Sequence, residues 1–138
     1  MQNIIHPKLV KTTFNKAIRK YNNTGIVHFN YSKKTRNKNH ITFFIYRKSV
    51  NMNNRFVELG NGGPRLYTGP FSNHNYGQAG INYEYPNKSV NTSVAIHEIG
   101  HALGLKHSKN KKSIMYPVNQ GRNNLSKADI NALKYIYD

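Results

Sequence analysis

The chain has 138 residues, 21 Lys and Arg against 5 Asp and Glu, a formal net charge of +16, and no cysteine. That length suits one domain, residues 1–138, with a core of its own. No run approaches a membrane span, the N-terminus lacks an apolar signal-peptide core, and disulfides are excluded.

The charge implies attraction to polyanions such as nucleic acid, anionic lipid or acidic cell-wall polymer. The basic residues are dispersed, however. They form only short groups, at Lys33, Lys34, Arg36 and Lys38 and at Lys109, Lys111 and Lys112. No nucleic-acid-binding motif accompanies them, so we read the charge as accessory.

In chain order, residues 7–21 read as a helix. Pro7 suits a first helical position. Val10, Phe14, Ala17, Ile18 and Tyr21 make one apolar stripe, and Asn22-Asn23-Thr24-Gly25 ends it. Residues 26–31 alternate in polarity and predict a strand. A basic turn, residues 33–39, leads to a second strand at 41–46, rich in β formers. Beyond it the signals weaken. Residues 56–59 suggest a short strand, and Gly60-Asn61-Gly62-Gly63-Pro64 reads as a turn. Residues 65–68 and 79–84 suggest two further strands. His28 and His40 read as strand and loop residues, since no partner spacing supports a second metal.

The chemistry concentrates in His97-Glu98-Ile99-Gly100-His101-Ala102-Leu103-Gly104-Leu105-Lys106-His107. Histidines four apart on a helix lie about 40° apart around its axis, so both rings can reach one ion. Glu98 sits about 100° from His97, better placed to handle a water than to ligate. Gly104 tolerates the left-handed conformation that ends a helix. The turn there would bring round His107 as third ligand. Three neutral imidazoles and a water make a catalytic zinc site, with the glutamate as general base. A bare H-E-x-x-H is only suggestive. Here Ala95, Ile96, Ile99, Ala102 and Leu103 form a separate core face opposite His97 and His101. After it, Ser126 and Asp129 make a capping-box-like pair for a last helix, with Leu125 and Ile130 as hydrophobic staple. Ile130, Leu133, Ile136 and Tyr137 form that helix's expected core face.

The extended H-E-x-x-H-x-x-G-x-x-H pattern, with Met115 in Ser113-Ile114-Met115-Tyr116-Pro117 as a Met-turn, resembles the metzincin zinc endopeptidases. Ser108 directly after the third histidine, and Met-Tyr-Pro at this spacing, resemble the matrixin (matrix-metalloprotease-like, peptidase family M10) branch. Leu125-Ser126-Lys127-Ala128-Asp129-Ile130 is similar to the start of the matrixin last helix, with Ala128 where the family usually has an acid.

The resemblance implies an α+β, zincin-like fold: a small twisted mixed sheet, two packed helices, and a C-terminal helix in a lower subdomain at about 108–138. Matrixins begin with a strand ahead of their first helix. Ile4-Ile5 is a poor stub for it, so either that strand is lost or the chain begins late. A four-strand sheet follows. The resemblance further implies a Met115 floor beneath the metal and an Asp129 brace on the Met-turn. It places substrate-pocket walls at Ser93, Tyr116 and Pro117, the small Ser93 hinting at a roomy pocket. It also implies a cleft-bordering strand that binds substrate by strand addition, for which Leu66 and Tyr67 in residues 65–68 are the candidates. One zinc is expected. The family's second, His- and Asp-bearing site would fall near His74, but acids are missing there. Calcium wants carboxylate oxygens that five acids hardly supply. With no cysteine, the chain carries no cysteine-switch latency.

The expected function is zinc-dependent endopeptidase cleavage of protein substrates by a monomer. The resemblance also implies a secreted protein, in which case this is a mature form or one with its leader removed. The rival is a basic polyanion-binding module with a structural zinc.

Overall fold

A computed structural model describes residues 6–50 and 57–138. Helix α1, Pro7–Asn22, follows the apolar stripe: Val10, Phe14, Ala17 and Tyr21 are buried. The Thr24 hydroxyl donates to the Tyr21 carbonyl at 2.6 Å where the helix ends.

The sheet is mixed and has four strands among the described residues: β1, His40–Tyr46; β2, Gly60–Gly63; β3, Leu66–Thr68; and β4, Asn73–Asn82. Strand β4 is central. It pairs in parallel with β1, and in antiparallel with β2 and β3 along its other edge. The register runs unbroken from Gly60 opposite Ile81 to Thr68 opposite Asn73. Strands β2 and β3 are therefore one edge strand interrupted at Pro64, a residue that an edge tolerates because it need not donate.

Two expectations are corrected here. Among the described residues, 26–31 pair with no strand of the sheet. The Asn22 side chain takes the Phe29 N–H at 2.7 Å and donates to its carbonyl at 3.4 Å, so side-chain bonds replace a ladder. Residues 60–63 are a strand and not a turn. Glycine is required there by close approach. A Cβ on Gly60 would lie 2.7 Å from Glu98 Cγ, and one on Gly62 would lie 2.6 Å from the Glu98 carbonyl oxygen. Of the strand suggested at 56–59, Phe56 lies outside the described residues and the rest is irregular. Residues 1–5, where a family N-terminal strand would fall, also lie outside them.

After a short helix α2, Pro86–Ser89, comes α3, Thr92–Leu103, capped by Asn91, whose side chain accepts from the Ser93 N–H at 3.0 Å. Its buried face, Ala95, Ile96, Ile99 and Ala102, packs beneath the sheet and against α1. Gly104 ends it at φ +106°. The Leu105 N–H returns to Gly100 and the Gly104 N–H to His101, satisfying the last carbonyls. Helix α4, Lys127–Tyr137, opens with the expected capping box. Its core face is narrower than the sequence predicted. Leu133 is fully buried and Ile130 half-buried, while Ile136 and Tyr137 stay more than two-fifths exposed.

Candidate metal centre and cleft

His97 and His101 project from α3 one turn apart, and the reversal at Gly104 returns His107 to them. One ring nitrogen from each lies within 4.8 Å of the others. His97 Nδ1 is 2.8 Å from the Ile114 carbonyl oxygen, and His101 Nδ1 is 2.9 Å from that of Leu105. A carbonyl only accepts, so both Nδ1 atoms carry the proton. Each Nε2 is left with its lone pair free, the tautomer a metal requires. Burial lowers the His97 pKa, as does neighbouring His107, against the Ile114 bond that raises it. Burial, then His97, brings His101 down to about 4. Both imidazoles are thus held neutral, the form that binds metal. An all-imidazole donor set suits zinc. A closed structural zinc takes four protein ligands, and the described residues bring three together here.

Glu98 is 6% exposed. Burial, and then the charge of Glu58, raises its pKa from 4.5 to about 8. Its Oε1 lies 3.8 Å from His97 Nε2. With both groups pushed toward their neutral forms, that contact is not an ion pair.

The loop that carries Met115 packs against α3 beside this assembly. Met115 is 2% exposed, and a Cβ on Gly100 would lie 2.5 Å from its Sδ, so the thioether packs directly against α3 between the two histidines. The turn is held by the buried Asp129 of α4. Its carboxylate accepts from the Ser113 hydroxyl and from the Ile114 N–H at 3.0 Å. The other face of that segment presents the Ile114 carbonyl to His97. Asp129 therefore orients a histidine it never touches.

The cleft over the three rings has a volume of about 830 Å³. Ser93, Tyr116 and Pro117 are among the residues that line it. Ser93 does not leave open room, because Asn119 covers it, with Asn119 Nδ2 3.0 Å from the Ser93 Oγ. Leu66 and Tyr67 do not line the cleft. The bordering strand is β2, through Gly60, Asn61 and Gly62. Strand β3 is the outer continuation of that edge, beyond Pro64. Sequence reasoning missed Gly60, Gly62, Asn119 and Glu58, which also lines the cleft. The signal for the glycines was present: a Gly-rich stretch between two strands reads equally as an edge strand pressed against a helix.

Comparison with known proteins agrees with this geometry. The matrixin family model matches residues 1–138, and the chain belongs to that family. It is similar to stromelysin-2 of Rattus norvegicus, 49% identical over 49 residues, 32% of this chain and 10% of the relative. It is also similar to macrophage metalloelastase of Rattus norvegicus, 48% identical over 48 residues, 32% of this chain and 10% of that protein. Metalloendoproteinase 1 of Glycine max is 48% identical over 48 residues, 33% of this chain and 16% of the relative. The matching stretch thus spans between a tenth and a sixth of these relatives' length. No described helix is long and apolar enough to cross a membrane.

Proposed function

We propose that residues 1–138 form a single catalytic domain of a zinc-dependent endopeptidase. His97, His101 and His107 hold the ion, and Glu98 is the general base. The observation that carries this is the convergence of three imidazoles on a cleft, two of them held neutral, beside a buried carboxyl. Zinc held there would polarise the scissile carbonyl, lower the pKa of a water to about 7 and, as a dication, favour ionised Glu98.

The chain's own residues do the rest. The outer edge of β2 pairs with an extended substrate backbone, a mode that reads few side chains. Ser93, Asn119, Tyr116 and Pro117 wall the pocket for one substrate side chain. Glu98 takes the proton from the water as it attacks and delivers it to the departing amine. Met115 floors the site, and the carbonyls of Ile114 and Leu105 hold two imidazoles in the binding tautomer. Family membership supports protein substrates and an extracellular setting.

The test is a peptide-library cleavage profile for the zinc-loaded protein and Glu98→Ala. The variant should keep one zinc per chain and lose about 10²–10⁴-fold in cleavage. Undiminished cleavage by the variant would remove Glu98 from the role.

A further inference from the structure

Strand β4 turns its odd-numbered residues toward α3. Asn75 Nδ2 donates to the Ala102 carbonyl at 2.8 Å, and a Cβ on Gly77 would lie 2.9 Å from the same oxygen. Side chains alternate along a strand, so His74, Tyr76 and Gly80 lie on the face turned away from α3 and its histidines. The register sets Tyr67 beside His74, His40 beside Tyr76, and Phe44 beside Gly80 on that face. Arg65 stands on the other side of Tyr76, whose N–H donates to the Arg65 carbonyl at 2.8 Å. The rings form a continuous group. Centroids are 5.1 Å apart for Tyr67 and His74, 6.2 Å for His74 and Tyr76, and 6.4 Å for His40 and His74. The two end rings lie flat over glycines. A Cβ on Gly69 would meet three atoms of the Tyr67 side chain at 2.5, 2.6 and 2.8 Å, and one on Gly80 would meet three atoms of the Phe44 ring. Tyr67 and Tyr76 are 44% and 39% exposed, and Arg65 and Lys38 are exposed beside them. Lys48 and Glu58, on either side of residues 51–56, both bond Asn82, about 20 Å along β4 from Tyr76.

We propose that this face binds single-stranded nucleic acid, with bases stacked on the rings and phosphates held by Arg65 and Lys38. Each feature selects part of that ligand. The cations select a polyanion, and four of the five acids are buried or paired elsewhere. The exposed rings select bases, since every base has a face to stack and a sulfated glycan or an anionic lipid has none. A duplex keeps its bases stacked on one another and offers only its charge. From Tyr67 to Phe44 the face runs about 20 Å, enough for about four nucleotides. No sequence motif announces it, because the rings come from three strands and meet only through the register. The site is separate from the cleft and stands whether or not the chain cleaves peptides.

The probe is a labelled oligothymidylate of about 12 nucleotides, titrated with the full chain and read by fluorescence anisotropy. Tyr67→Ala combined with Tyr76→Ala should weaken binding about 10–100-fold. Tyr67→Phe combined with Tyr76→Phe keeps both ring faces and should stay within about threefold of the native chain. An abasic sugar-phosphate strand of equal charge should bind the native chain about as weakly as the alanine pair binds thymidylate. Arg65→Ala should flatten the dependence of log Kd on log salt by about 0.7. An oligouridylate of equal length, run alongside, tells which sugar the face prefers, and either preference supports the assignment. Three results would overturn it. The first is an abasic strand or a duplex bound as tightly as thymidylate, a comparison made on the native chain and so independent of how the variants fold. The second is unchanged affinity in the folded alanine pair. The third is a heparin fragment that loses as much affinity as thymidylate on the alanine pair, which would give the face to a sulfated glycan.

Discussion

Glu98 is an acid kept out of water beside two half-buried imidazoles, those of His97 and His101. Without metal, this pushes the carboxyl up and two imidazoles down. The consequence for stability has a definite sign. A carboxyl whose folded pKa is about 8 against 4.5 unfolded holds its proton more tightly in the folded state. Its contribution is complete below pH 4.5 and is lost as pH rises to about 8. The histidines act in the opposite sense, losing stability as pH falls from 6.5 toward the value of about 4 reached by His101. Glu98→Gln keeps the shape and the histidines but cannot ionise. Denaturant unfolding of the metal-free proteins should therefore coincide below pH 4.5. The variant should become progressively more stable toward pH 8, by at most about 1.4 kcal/mol per pH unit. Curves that stay parallel across this range would show that the carboxyl is not buried as described. At this scale the sequence was highly legible. The spacing of His97, His101, Gly104 and His107 encodes a helix, a reversal and a shared focus. Ser93 was misleading, because its small size says nothing of Asn119, 26 residues on, which covers it.

The edge strand and the helix beneath it are where legibility fell. Gly60-Asn61-Gly62-Gly63 carries the composition of a turn, and composition cannot report that a strand presses on α3 so closely that side chains would collide. Residues 26–31 failed in the opposite direction. Their alternation records which side chains face inward, while pairing depends on a neighbouring strand that alternation does not reveal. The β2–α3 contact makes Gly60 a positioning residue for Glu98. Its Cβ would meet Glu98 Cγ at 2.7 Å and the Gly80 carbonyl oxygen at 2.8 Å. Gly60→Ala should therefore displace the carboxyl from its place over the cleft. We expect kcat to fall about tenfold or more, with KM changed far less and zinc affinity kept. Loss of zinc together with activity would mean that the strand supports the ligands and not the base.

Across the molecule, α4 reaches the metal centre through two intermediaries. Asp129 bonds the Ile114 N–H, and the Ile114 carbonyl accepts from His97 Nδ1. Two of the five acids, Glu98 and Asp129, are thus buried in or behind the site, and the outer surface carries almost unopposed positive charge. Asp129→Asn retains the shape but gives up charged acceptors within a buried network. It should lower stability by about 2–4 kcal/mol and weaken zinc binding about 10–100-fold by loosening the orientation of His97. Unchanged zinc affinity in the folded variant would sever this link. The resemblance carried in the last third of the chain pointed to Asp129, because capping box and Met-turn lie close in sequence. The cross-strand architecture ahead of α3 left no comparable local trace. The central claim is that three imidazoles share one ion with a side left open. X-ray absorption on the zinc-loaded protein reads it most directly. We predict three imidazole nitrogens at about 2.0–2.1 Å and one exchangeable oxygen. A fourth protein ligand, or only two imidazoles, would contradict the account.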